Sequence, residues 1–176
     1  MNNFKVSCVQ IASGPNIDAN LLEVGKYIEK SKESGADIVV LPENFAMMGA
    51  KDSDYLDIKE DFGSGKIQDF ISNTAEKNDI WIIGGTIPIK SDNKEKVYST
   101  CIIFDNNGNI ISSYNKIHLF DVNLVESNEK YNESDIYLNG DSIVAVDTPF
   151  CKIGLSICYD LRFPELFRHL SNQGVD

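Results

Sequence analysis

DIVVLPE, residues 37–43, is the stretch on which the fold turns. Its apolar core is continuous rather than alternating, and it is too short for a helix. That pattern is expected of a strand covered on both faces, as in a parallel sheet with helices packed on it. Upstream, FKVSCVQIA (4–12) alternates and is rich in β-branched residues, which predicts another strand. Between them Asp18 reads as an N-cap. Leu21, Leu22, Val24, Tyr27 and Ile28 form a helical stripe, and Gly35 stands at the C′ position. Strand, helix, strand is a βαβ unit, so the chain is α/β with a parallel or mixed sheet.

The pattern continues downstream. SGKIQDFISNTAEKN (64–78) predicts a helix with Ile67, Phe70, Ile71 and Ala75 on one face, and IWIIGGTIPI (80–89) a buried strand. KVYSTCIIFDNNGNIISSYNK (96–116) reads as a hairpin because Asn-Asn-Gly separates two strand-like runs. Residues 118–141 show no clear period and are expected to form a long ordered loop, which in a compact domain is usually functional. SIVAVDTP (142–149) and CKIGLSIC (151–158) predict two strands, and PELFRHLSNQG (164–174) a helix with Pro164 in its first turn. No linker or repeat divides the chain, so residues 1–176 are expected to form a single domain.

Composition narrows the function. At 42% hydrophobic and 24% charged residues, the 176-residue chain is of ordinary globular type. A net charge of −11 argues against a nucleic-acid partner and against docking on anionic membranes, since both need a basic face. No apolar run is long enough to span a bilayer, and MNNFKVSCVQIA lacks the form of a secretory signal, so a cytoplasmic location is expected. Cys8, Cys101, Cys151 and Cys158 make no CxxC pair and have no histidine at ligand spacing, which predicts neither a zinc site nor a disulfide framework. Three of them lie in strand-like runs, where a cysteine is usually a small core residue.

Three reactive side chains fall at predicted strand ends: Glu43, Lys116 and Cys158. Sites in open α/β sheets gather there, so residues distant along the chain can meet. A thiol becomes a nucleophile as thiolate, which a neighbouring lysine or a helix start favours. Lys116 would supply the cation, with the helix at Pro164 adding its dipole. Glu43 could take the thiol proton and pass it to a leaving amine. Lys116 and the backbone N–H of Tyr159 could stabilise an oxyanion. Each residue alone also has a structural reading: a core thiol, a solvent-facing glutamate, an edge lysine that protects the sheet. His118 reads as a satisfied loop histidine rather than a base.

At these three places the sequence resembles the nitrilase superfamily of carbon–nitrogen hydrolases. LPENF (41–45) is similar to the segment carrying that family's glutamate, YNKIHLFD (114–121) to its lysine segment, and GLSICYDLRFPELFR (154–168) to its cysteine segment. The opening VQ, IIGGTIP and FDNNGNIISSYNK extend the likeness over nearly the whole chain. The resemblance implies an αββα four-layer sandwich with Glu43 as general base, Lys116 as oxyanion stabiliser and Cys158 as nucleophile. It implies a second glutamate in ESDIYLNGD, where Glu133 is the candidate beside Glu126 and Glu129 of the same loop, to orient Lys116 or the attacking water.

KIHLFD and CYDLRFPEL look most like the ω-amidase branch, which hydrolyses side-chain amides of small dicarboxylic or α-keto acids and releases ammonia. Tyr159 and Arg162 are then expected to bind substrate, Arg162 through a bidentate grip on a carboxylate, unless it pairs with Asp160 or Glu165. No metal or organic cofactor is expected, and the resemblance implies a homodimer for the complete fold. The family's chain continues beyond Gly-Val-Asp, so this chain is expected to be its N-terminal portion, with the sandwich incomplete. Two rivals remain: a non-catalytic fragment that needs a complementary segment, and a thiol redox protein. The lack of CxxC disfavours the second.

Overall fold

The computed structural model describes residues 3–124 and 129–175. β1 (Val6–Cys8), α1 (Ile17–Glu33) and β2 (Ile38–Val40) form the expected βαβ unit, with β1 and β2 parallel. The cap of α1 is Asn16 rather than Asp18: the Asn16 carboxamide accepts from the Ala19 N–H at 3.1 Å. Both residue types cap well, and the one directly after Pro15 has the extended backbone a cap needs. Asp18 lies inside the first turn and pairs with Lys66.

A short α2 (Asp54–Asp57) leads to α3 (Lys66–Asn78), which packs beside α1. Leu21, Val24 and Ile28 of α1 and Ile67, Ile71 and Ala75 of α3 bury one face of the main sheet together with Val39, Ile82, Ile102 and Phe104. The predicted strand 80–89 is two strands, β3 (Trp81–Ile83) and β4 (Ile87–Lys90). They part at the glycine pair. A Cβ on Gly85, at φ +53°, would lie 2.2 Å from the Pro42 carbonyl oxygen, so only glycine lets the two backbones pass there. Both β3 and β4 then pair antiparallel with the long β5 (Val97–Phe104).

β5 and β6 (Ile110–Asn115) make the expected hairpin, closed by Asp105, whose carboxylate accepts from Asn107 and Asn109 N–H. Residues 118–141 are more regular than a loop. β7 (Asp121–Leu124) and β8 (Glu129–Asn132) form a separate two-stranded sheet, a 3-10 turn covers Glu133–Asp135, and β9 (Tyr137–Leu138) adds to β5 in parallel. β7 (DVNL) alternates over only four residues, β8 (EKYN) does not alternate and β9 is two residues long, so none of them makes a run long enough to stand out in sequence.

β10 (Ala145–Asp147) and β11 (Lys152–Gly154) form a second, two-stranded antiparallel layer. Val146, Ile153, Leu155 and Ile157 pack on Cys101, Ile103 and Tyr114 of the main sheet. Gly154 faces the other way, and a Cβ there would sit 2.9 Å from Leu170 of α4 (Pro164–Asn172). The order is therefore helix, sheet, sheet, helix, the αββα arrangement, with a small second sheet. Of the four cysteines only Cys101 is buried; Cys8 and Cys158 are exposed and Cys151 half-buried. The expectation of core thiols fails for Cys8 because β1 is an edge strand whose Val6, on the same face, is exposed too, and for Cys158 because β11 ends at Gly154.

Candidate active site

Glu43 follows β2 in a turn held by its neighbours. Asn44 has φ +54°, and its N–H donates to Thr86 Oγ1 at 2.8 Å. The Gly85 contact with Pro42 presses on the same turn from beneath. Lys116 directly follows β6, and its N–H donates to the Ser99 carbonyl at 2.9 Å. Its own carbonyl accepts from Gly140 N–H at 2.8 Å, where a Cβ would collide with the Asn115 backbone. Lys116 is therefore no edge lysine; it is completely buried.

The ammonium of Lys116 lies 3.0 Å from Glu43 Oε1 and 2.9 Å from Glu133 Oε1. Glu133 opens the 3-10 turn after β8, and its second oxygen accepts from the Phe120 N–H at 2.7 Å. Among the sequence candidates for a second glutamate, Glu133 touches Lys116, whereas Glu126 and the side chain of Glu129 lie outside the described residues. Burial pushes the Lys116 ammonium toward losing its proton, but the charges and hydrogen bonds of Glu43 and Glu133 outweigh it and leave its pKa above 10.5.

Cys158 opens a 3-10 turn over Cys158–Arg162, with φ +47°. Non-glycine residues held in this region cluster at functional sites. The Cys158 thiol shares a cleft with the Glu43 carboxylate. Partial burial and then the Glu43 charge raise its pKa above 9.0, and the opposing pull of Lys116 is smaller. The sequence argument had Lys116 drawing out a thiolate. Instead both of its hydrogen bonds go to carboxylates, and the resting sulfur is a thiol. Glu43 and Cys158 line one side of a cleft of about 120 Å³ with Gly85, Thr86 and Ser156.

Tyr159 is half-buried, its ring edge-on to Phe120 and Phe163. Arg162 is exposed and forms no ion pair among the described residues, so neither Asp160 nor Glu165 holds it there. Asp160 is occupied elsewhere. It is fully buried and bonds His118 and Tyr114, which satisfies His118 as expected. Sequence reasoning passed over Asp160 and Tyr114. The available signal was their place inside the lysine and cysteine motifs, two residues from each reactive side chain.

No group of three His, Cys, Asp or Glu residues able to hold a metal occurs among the described residues, and no helix there is long and apolar enough to cross a membrane. The set can do acyl transfer chemistry: a thiol in one cleft with a carboxylate base, beside a lysine that stays charged.

A family model described as carbon–nitrogen hydrolase matches residues 5–176. The chain is 34% identical over 177 residues to a deaminated glutathione amidase of Yersinia enterocolitica, covering 100% of this chain and 61% of that protein. It is 37% identical over 175 residues to omega-amidase NIT2-B of Xenopus laevis, covering 99% and 61%. Among solved structures it resembles Nit3 of Saccharomyces cerevisiae, a member of branch 10 of the nitrilase superfamily, with TM-score 0.83, 31% identity, and 98% of this chain covered against 61% of that one. The chain thus spans about three fifths of the length of these relatives.

Proposed function

The chain belongs to the carbon–nitrogen hydrolase family, and from that premise we propose that it hydrolyses the amide of a small, carboxylate-bearing ω-amide through a thioester on Cys158 and releases ammonia. The observation that carries this reading is the Lys116 ammonium clamped between Glu43 and Glu133 while Glu43 and the Cys158 thiol line the same cleft.

In this mechanism Glu43 takes the thiol proton as sulfur attacks the amide carbon. Because the thiol is neutral at rest, nucleophile and base form together and only when substrate is in reach. Charge building on the carbonyl oxygen is met by Lys116 and the Tyr159 N–H. Collapse breaks the C–N bond, and Glu43 returns its proton to the nitrogen, which leaves as ammonia. Water, deprotonated by Glu43, then attacks the thioester, and the acid leaves as the thiol regains its proton. Glu133 holds Lys116 in place throughout. Arg162, charged and without an ion-pair partner among the described residues, suits the substrate carboxylate. The names of the relatives, omega-amidase and deaminated glutathione amidase, support an amide as substrate. Four free cysteines support a cytoplasmic location.

The test is ammonia release from succinamate by this chain and by its Cys158→Ala variant. Release by the parent alone supports the reading. Equal release by both, or by neither, counts against this chain acting through Cys158.

A further inference from the structure

A carboxylate with no exposure and no lysine or arginine partner among the described residues is costly, and Asp160 is one. It sits two residues after Cys158, and the mechanism above makes no use of it. Its Oδ2 accepts from Tyr114 O–H at 2.7 Å and from Ile157 N–H at 2.8 Å. Its Oδ1 accepts from His118 N–H at 3.0 Å and from His118 Nδ1 at 2.7 Å. Tyr114 and His118 flank Lys116 by two residues on either side, and Ile157 directly precedes Cys158. One carboxyl group therefore ties together the two segments that carry the lysine and the nucleophile.

We propose that Asp160 is a positioning residue: bonded to Tyr114, His118 and Ile157, it sets the distance and direction of the Cys158 thiol relative to Lys116 and Glu43. The inference rests on the catalytic roles proposed above. Its neighbours suit a rigid link. The ring of His118 stacks on Phe163, with centroids 3.6 Å apart and planes 10° from parallel, so the imidazole cannot swing away. Burial and the adjoining Asp160 charge keep Tyr114 protonated, a permanent donor. The bond to Ile157 N–H anchors the backbone immediately before the left-handed Cys158. A cap alone would need only that bond. The three bonds to Tyr114 and His118 lead to the lysine segment instead.

The experiment compares the full chain with Asp160→Asn and Tyr114→Phe. Iodoacetamide labelling of Cys158 is followed by peptide mass spectrometry from neutral pH upward, beside the kcat and KM of ammonia release from succinamate. Buried Cys101 reports on the fold, since it labels only if the core opens. The expected result is a displaced pH profile for Cys158 and a kcat lowered about tenfold in Tyr114→Phe, the worth of one hydrogen bond to a charged group, with KM little changed. Asp160→Asn should be lower still, on the order of 100-fold. If Cys101 becomes reactive in Asp160→Asn, Tyr114→Phe decides. Variants with Cys101 protected and a Cys158 profile identical to the parent's would overturn the proposal. A displaced profile in a chain that releases no ammonia would sink the amidase reading and leave this one standing.

Discussion

Glu133 and Lys116 meet at 2.9 Å although the whole β7–β8 sheet lies between them in sequence. Their contact, with Glu43 on the other side of the ammonium, places one fully buried positive charge between two partly exposed carboxylates. The electrostatics of the cleft follow from that arrangement.

Lys116→Met removes the charge and keeps the bulk, leaving Glu43 and Glu133 facing each other. Breaking a buried ion pair costs about 3–5 kcal/mol. Each glutamate side chain keeps 27% of its exposure, so the lower end, about 3 kcal/mol, is expected. The urea midpoint measures it. An unchanged midpoint would mean that the two carboxylates are stable without the lysine.

The same clamp has a sign with pH. The folded state holds the Lys116 proton more tightly than the unfolded chain, because its pKa lies above 10.5. Its stabilisation is then complete below 10.5 and is lost as pH rises through the folded value. Melting temperature followed into strong alkali should fall more steeply in the parent than in Lys116→Met.

Cys158 should alkylate slowly at neutral pH, because its pKa lies above 9.0. In Glu43→Gln the carboxylate that raises it is gone while Lys116 remains. The labelling midpoint is therefore expected at lower pH than in the parent, while ammonia release falls by roughly 100-fold or more through loss of the base. A midpoint moving upward would show that Glu43 does not act on this thiol by charge.

Gly85→Ala is expected to destabilise by about 2–3 kcal/mol, from backbone strain together with the overlap with Pro42, and to displace Glu43. Gly63 also has positive φ, +85°, but a Cβ there meets nothing within 4 Å. Gly63→Ala should thus cost only about 1 kcal/mol and leave the site intact. Chemical denaturation of the two variants side by side tests this, and equal losses would refute the role given to the Pro42 contact.

Several features were legible along the chain. The unbroken run in DIVVLPE and the stripe in α1 gave the βαβ unit, because burial on two faces or one leaves a distinct local period. Asn-Asn-Gly marked the β5–β6 hairpin for the same local reason. β7 and β8 were not legible, since DVNL alternates over only four residues and EKYN does not alternate at all. Asp18 read as the cap because both it and Asn16 have the right side chain, and only backbone angles separate them.

For the site, residue type and place in the motifs identified Glu43, Lys116, Glu133 and Cys158 as candidates. Which groups touch, and with what electrical result, depended on packing. Lys116 is charged because two glutamates distant in sequence converge on it, and Cys158 is held as a thiol first by partial burial and then by the charge of one of those glutamates. Asp160 shows the difference most clearly. In sequence it is a charged residue in a charged segment, and only the meeting of β6 with the Cys158 turn buries it. Local periodicity records how each segment is covered, whereas pKa and alignment arise from distances between segments that no single segment encodes.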